Sequence, residues 1–295
     1  MKRFLGLDIG GTKCAVVLGD SAGQMLREIR FPTEDFKSTL AKLFSAADEL
    51  FDESVVAIGV SCGGPLSSAR GVIMSPPNLP GWDDVHIVDM LKERYGVPAY
   101  LKNDADACAI AEWKFGSARG YKNAIFLTFG TGMGAGLILN GAPYSGACDM
   151  AGEVGHIRLY DGGHVGYGKA GSFEGYCSGG GIAQYGRGSA KELAERARRG
   201  DAEALAIFEK IGSDLGRGIA YLVDILNPEV IVIGSIYTRA EELIAPSMWK
   251  ALKAEALSLS VESLKILPAT LGDNIGNAAA LGVAQNGYIS EGGVI

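Results

Sequence analysis

Residues 4–20 read FLGLDIGGTKCAVVLGD, and the polar residues within them are spaced for chemistry. An apolar run reaches Asp8, Gly10 and Gly11 make a tight bend, Thr12 and Lys13 follow, and a second apolar run starts at Ala15. Two strand-like runs joined by such a bend predict a β-hairpin. Without a Cβ in the way, the glycine amides can point at an anion. Thr12 adds a hydroxyl donor and Lys13 a cation. Asp8 supplies a hard carboxylate oxygen, suited to hold a hydrated Mg²⁺ through water. The chemistry is phosphate binding, and not of the Walker type, because no helix-opening GK[ST] follows. A lone DxGG is equally well an ordinary turn. The chain does it again, however: residues 124–141 read AIFLTFGTGMGAGLILNG, with Thr131, Gly132 and Gly134 in the bend. Two such hairpins, one in each half, would clamp a polyphosphate from both sides, and repetition on this scale is evidence about architecture.

Other residues suit a polar small molecule. Asn103 and Asp104 fall where a short strand, 99–101, runs into an alanine-rich helix ending near Phe115. Asp104 is either the N-cap of that helix or a carboxylate fixed to accept a hydroxyl proton. Asn78 lies in PPNLPGW, where proline and glycine exclude regular structure; it offers a donor and an acceptor to a polyol, or simply makes a turn. Glu153 and His156 sit three residues apart and can converge on one polar ligand. Glu174 is embedded in the glycine-dense stretch 162–181, which reads as a ligand loop or a solvated structural one. Gly64 lies in the sharp turn SCGGP after the β-branched run 55–60, at the strand end where open α/β sheets place ligands. Gly234 closes the apolar strand 230–233 in a glycine turn that leaves small backbone groups where an adenine would lie.

The elements that must position these groups follow from pattern. A third strand is expected over 24–31, and amphipathic or apolar helices over 36–51, 88–95, 189–199, 201–226, 241–257 and 276–286. Asp201 caps the longest of these, and Asn227-Pro228 stops it. A final strand is expected over 261–268. At 295 residues the chain can hold two domains with full cores, and 47% hydrophobic with 21% charged residues is a globular composition. The net charge of −7 argues against a general binder of nucleic acid or membrane surfaces. Five cysteines without metal or CxxC spacing read as buried free thiols in a reducing cytosol. No signal peptide is expected, since Asp8 interrupts the first apolar run too early, and no run is long enough to span a membrane. The expectation is a cytoplasmic protein.

In this order and spacing the motifs resemble the ROK (repressor, ORF, kinase) family of sugar kinases, within the actin-like, sugar-kinase and Hsp70 ATPase superfamily. The carriers are DIGGTK at 8–13, GGP with PNLPGW between 63 and 82, NDAD at 103–106 and FGTGMGAG at 129–136. EVGH at 153–156, FEGYCSG at 173–179 and NPEVIVIG at 227–234 complete them. The resemblance implies an α/β fold of two actin-like (ribonuclease H-like) domains with a cleft between them. The small domain would take 1–115 plus 280–295, and the large one 116–279. It implies ATP and Mg²⁺, with phosphates at Asp8 (Mg²⁺ through water), Gly10, Gly11, Thr12, Lys13, Thr131, Gly132 and Gly134. The nucleoside would lie near Gly234. A sugar would be held by Gly64, Asn78, Asn103, Asp104, Glu153, His156 and Glu174, with Asp104 the catalytic base. A homodimer is expected on the same ground.

Two departures stand out. Most family members carry CxCGxxGCxE after the GH, whose cysteines bind a structural zinc with the histidine. Here positions 165–174 read VGYGKAGSFE; the glycines and Glu174 remain and all three cysteines are gone. Thiolates make such a site selective for zinc, so no zinc is expected. Gly234-Ser235 stands where many relatives have two glycines. The leading expectation is a hexokinase of the glucokinase type acting on the 6-hydroxyl. An N-acetylglucosamine or N-acetylmannosamine kinase shares the same contacts, and polyphosphate is an open alternative to ATP. A sugar-sensing repressor or other non-catalytic binder is disfavoured. The phosphate hairpin begins at Phe4, leaving no room before it for a helix-turn-helix, and Asp8, Asp104 and both hairpins are all present.

Overall fold

The computed structural model describes residues 2–295, Asp273 by its backbone alone. The chain forms two compact units: Met1–Arg119 with Pro143–Ala151 and Leu271–Ile295, and Gly120–Ala142 with Gly152–Thr270. Pro143–Ala151 and residues 271–279 thus lie in the first unit, where the sequence reading has them within 116–279.

The first unit is built on β1 (Arg3–Ile9), β2 (Lys13–Asp20), β3 (Met25–Pro32), α1 (Phe36–Leu50), β4 (Val55–Cys62), α2 (Ile87–Tyr95), β5 (Ala99–Asn103) and α3 (Asp104–Phe115). The sheet order is β3-β2-β1-β4-β5. β1 runs antiparallel to β2 and parallel to β4, so Asp8 stands between Ala15 and Ser61. β1 is apolar on both faces because both are covered. Leu5, Leu7 and Ile9 join one core with Leu43, Ala47 and Leu50 of α1; Phe4 joins Val17, Ala57, Leu281 and Ala284 in another. The last two belong to the C-terminal helix, Ile275–Ser290. That helix lies directly on the strands: a Cβ at Gly59 would stand 2.2 Å from the Ala280 carbonyl oxygen.

The second unit holds β6 (Ala124–Phe129), β7 (Met133–Leu139), β8 (Ala142–Tyr144), α4 (Phe173–Tyr176), α5 (Gly179–Ala183), α6 (Ala190–Arg198), α7 (Ala202–Leu226), β9 (Val230–Ile233), α8 (Ile236–Glu255), α9 (Ser258–Ser263) and β10 (Lys265–Pro268). β8 begins in this unit and continues into Pro143–Ala151. Its sheet order, β8-β7-β6-β9-β10, repeats that of the first. β6 pairs antiparallel with β7 and parallel with β9, which pairs parallel with β10. The repeated hairpin of the sequence is therefore the start of each sheet. α7 buries Ile207, Phe208, Ile211, Leu215, Ile219 and Leu222 at helical spacing. Asp201 caps it by accepting the Ala204 amide at 3.1 Å, and Asn227 ends it in the left-handed region, φ 43°.

Two expected elements differ. Of the strand expected over 261–268, only Lys265–Pro268 is one; Val261 belongs to α9, its amide bonded to Leu257 O at 3.1 Å. α8 starts at Ile236 rather than 241, but it breaks at Ala240 (φ −141°, ψ 29°), next to where the pattern begins. All five cysteines are free, but not all are buried as expected: Cys14, Cys62 and Cys177 are, whereas Cys108 is half-buried and Cys148, in the irregular stretch after β8, is exposed. Among the described residues no helix is long and apolar enough to cross a membrane.

Candidate functional site

The first unit gathers its site residues at the ends of β1, β4 and β5. The β1–β2 turn closes with Gly10 N–H donating to Lys13 O at 3.2 Å, and Thr33 pins it from β3's end, its hydroxyl donating to Gly10 O at 2.6 Å. Gly11, Thr12 and Lys13 are exposed. Among the described residues the amides of Gly11 and Thr12 have no intramolecular acceptor, which leaves them for an anion. Asn78 packs on this turn. A Cβ at Gly11 would lie 2.7 Å from both Asn78 Cβ and Asn78 O, so only glycine admits the contact. The loop carrying Asn78 is rigid because Leu79 and Trp82 are buried and Trp82 meets Phe36 edge-on at 5.2 Å.

Cys62 at the end of β4 pairs with Asn103 at the end of β5, which brings the turn after β4 against α3's first residues. Asn103 is the N-cap of α3: its Oδ1 accepts the Ala105 amide at 2.9 Å. Asp104 is the first helical residue, with Oδ1 sharing that amide at 2.8 Å. Capping therefore falls on the neighbour, and Asp104 presents an exposed carboxylate. Its Oδ2 stands 4.0 Å from the Cβ position of Gly63, and Asn103 Nδ2 stands 3.2 Å from that of Gly64. Asp8 is half-buried at the end of β1, and a Cβ at Gly276 would stand 2.3 Å from its Oδ2. The bare glycine at the start of the C-terminal helix makes room for that carboxylate.

Both carboxylates are hard to ionise. Loss of solvation and then the like charge of Asp104 push Asp8 up to about 6, against the opposing pull of Lys13 and Arg30. Loss of solvation raises Asp104 above the ordinary carboxylate value, although its side chain is open to solvent; the Ala105 amide opposes the rise. The like charge of Asp104 acting on Asp8 is a field that a hard dication would relieve. Among the described residues no cluster of three or more ligating side chains exists.

The second unit gathers its residues around the β6–β7 turn. Gly130 N–H donates to Gly132 O at 3.1 Å, and the first amides of α5 hold the turn from behind: Gly179 to Gly130 O at 2.7 Å and Gly180 to Thr131 O at 3.2 Å. Gly134 is in β7, paired with Thr128, one step beyond the turn itself. Glu174 in α4 accepts the Met133 amide at 2.9 Å, beside Gly132, whose Cβ position is 2.8 Å from Glu174 Oε2. Gly155 fits between Met133 O and Glu174 Cβ, at 2.4 and 3.2 Å from its Cβ position. That contact carries the exposed Glu153 and His156, at the two ends of this bend, to the same place. His156 meets the Tyr167 ring edge-on at 5.7 Å. Gly234 is buried after β9, its amide bonded to Leu127 O at 3.0 Å.

Two participants escaped sequence reasoning, and a third was legible only in part. Thr33 has no motif around it. Gly276 is one glycine among many until Asp8 is seen against it. Ser235 follows Gly234 with φ 55° and ψ −107°, a conformation suited to glycine, and its Oγ is 3.5 Å from the Cβ position of Gly130. The pair Gly234-Ser235 was the only available signal.

The sequence matches the ROK family over residues 4–286. The glucokinase of Halalkalibacterium halodurans is 30% identical over 304 residues, 92% of each chain. Among solved structures, the ROK hexokinase from Thermus thermophilus is 30% identical with a TM-score of 0.84, over 98% of this chain and 99% of that one. A ROK family glucokinase from Streptomyces griseus, in complex with glucose and AMPPNP, is 27% identical with a TM-score of 0.76, over 96% and 99%. The fold is thus the actin-like one of the sugar kinases.

Proposed function

The chain belongs to the ROK family, and from that premise we propose that it is an ATP-dependent sugar kinase that phosphorylates the 6-hydroxyl of a hexose, glucose first. The observation that carries this reading is that Asn103 is the N-cap of α3, so Asp104 stands as its first helical residue with a raised pKa, Oδ1 sharing the Ala105 amide and Oδ2 clear of it. In the reaction the sugar hydroxyl oxygen bonds to the γ-phosphorus as the bond from that phosphorus to the β-bridging oxygen breaks. Asp104 takes the hydroxyl proton, and ADP leaves. A positioned base contributes ~10²–10⁴-fold; most of the remaining stabilisation in phosphoryl transfer comes from donors around the moving charge. Those donors would be the amides of Gly11, Thr12, Thr131 and Gly132, with Lys13; the Gly10 amide closes its own turn, Gly134 follows the other turn in β7, and Gly234 borders the nucleoside. Mg²⁺, held by Asp8 through water, would neutralise charge on the phosphates. Gly64, Asn78, Asn103, Glu153, His156 and Glu174 would bind the other sugar hydroxyls.

The test is ADP release over a panel of hexoses and N-acetylhexosamines, with ATP and polyphosphate compared as donors. The reading expects glucose with ATP to give the highest kcat/KM. N-acetylglucosamine or N-acetylmannosamine in first place would keep the chemistry and change the acceptor. Sugar binding without ADP release from any acceptor would make the chain a sensor instead. The reading includes a cytoplasmic homodimer, checked by sedimentation.

A further inference from the structure

α4, which carries Glu174, is a single turn of four residues, too short to hold itself. Its anchors are local at one end and aromatic at the other. Ser172 Oγ accepts the amides of Gly175 and Gly166, each at 3.1 Å, and Phe173 N–H donates to Ile157 O at 2.7 Å. Tyr176, at the far end, stacks face to face on His164, with centroids 4.8 Å apart and planes 8° from parallel. Tyr160 meets Tyr176 edge-on at 4.8 Å, and Tyr185 meets His164 at 4.5 Å. Lys210 of α7 lies over the rings of both Tyr160 and Tyr176, at 4.8 and 5.0 Å. It pairs at 3.0 Å with Asp214, which is 1% exposed and accepts the Tyr160 hydroxyl. The glycine-rich loop is thereby fastened to the longest helix of its unit.

A metal does not fit this loop. Cys177 is its only thiol, and that side chain is buried, within reach of Ile211 O at 3.8 Å and with its thiol pushed well above the usual range by burial. His164 Nδ1 is buried with no hydrogen-bond partner among the described residues. The imidazole is therefore held by ring packing, which a phenyl ring can reproduce and a methyl group cannot.

We propose that the His164–Tyr176 stack, fastened by Lys210 and Asp214, is a zinc-free lock that positions Glu174. This rests on the reading of Glu174 as a sugar contact. The experiment measures kcat/KM for the hexose and thermal unfolding in the full chain. It compares wild type, His164→Ala, His164→Phe, Glu174→Ala and the double variant His164→Ala/Glu174→Ala, with zinc content determined for each. His164→Ala should lower kcat/KM about tenfold and melt several degrees earlier, while His164→Phe stays within about twofold and melts no earlier, as expected for packing alone. In the Glu174→Ala background His164→Ala should cost less than about twofold, because its effect passes through the missing carboxylate. An equal tenfold loss in both backgrounds, a His164→Phe as impaired as His164→Ala, or stoichiometric zinc whose removal lowers the melting temperature would overturn the lock. A wild type inert toward every sugar would overturn the functional reading instead, and melting and zinc content would then decide the lock by themselves.

Discussion

Glu174 Oε2 accepts the backbone N–H of Met133 at 2.9 Å, so the carboxylate that would bind a sugar also fixes the glycine turn that would bind a phosphate. The two expected jobs are mechanically joined within one unit. Gln at 174 keeps an acceptor for the Met133 amide; Ala leaves that amide unbonded. A hydrogen bond to a charged group is worth ~1.5–3 kcal/mol, or about tenfold to a hundredfold in affinity at 1.4 kcal/mol per decade. Glu174→Ala should therefore raise KM for ATP as well as for the hexose by about tenfold or more. Glu174→Gln should raise the hexose KM and leave the ATP KM within about threefold. Steady-state kinetics with each substrate varied in turn reads both, and an unchanged ATP KM in Glu174→Ala would separate the two jobs.

The acid side of the pH profile should lie higher than for an ordinary carboxylate. Asp8 moves from 3.8 to about 6 and Asp104 is raised too, and the roles proposed for them require both to be ionised. Activity should rise with pH through about 6 and level off above it. Stability runs the other way. Between 3.8 and about 6 the folded chain holds a proton on Asp8 that the unfolded chain has lost, so this group's contribution falls as pH rises through that window. Asp8→Asn removes the penalty. It should be more stable than wild type at pH 8 by on the order of 2 kcal/mol, converge with it at acid pH, and be poorly active throughout. Thermal melts of both proteins across pH test the sign; parallel curves would contradict it.

Ser235 holds φ 55° and ψ −107° between β9 and α8. Such a conformation costs a non-glycine residue ~1–3 kcal/mol, offset in part by the ~0.5–1 kcal/mol of entropy that glycine loses on folding. Ser235→Gly should raise the melting temperature by roughly 2–6 °C, while Ser235→Ala, which keeps the Cβ, should not. Calorimetry that finds the two variants alike would show the position to be relaxed.

The parts of this molecule that are legible in its sequence are those with local causes. Each hairpin is written as two apolar runs around glycine, and the repeat of residues 4–20 near 124–141 anticipates the repeated sheet order. Asp201 and Asn227 mark α7 because capping acts within one turn. Residues 261–268 misled because the apolar run that forms β10 follows Val261 closely, while Val261 and Leu264 are spaced as in a helical turn and α9 is completed through the Leu257 carbonyl further back. At the site, Asn103 and Asp104 are both competent caps, and only the coordinates choose between them. The Glu174–Met133 bond joins residues 41 apart, and the ring cluster draws Tyr160, His164, Tyr176 and Tyr185 from irregular spacing and Lys210 from another helix. Nothing in the spacing announces such contacts.

The central claim is that Asp104 removes the proton from a sugar hydroxyl. Its most direct measurement is ADP formation with glucose and ATP by wild type and Asp104→Asn, with glucose affinity of both determined calorimetrically. The amide keeps the shape and the Ala105 contact but cannot accept the proton as a carboxylate does. Turnover should drop by ~10²–10⁴-fold or more while the glucose Kd stays within about threefold. An asparagine variant that turns over like wild type would contradict the account.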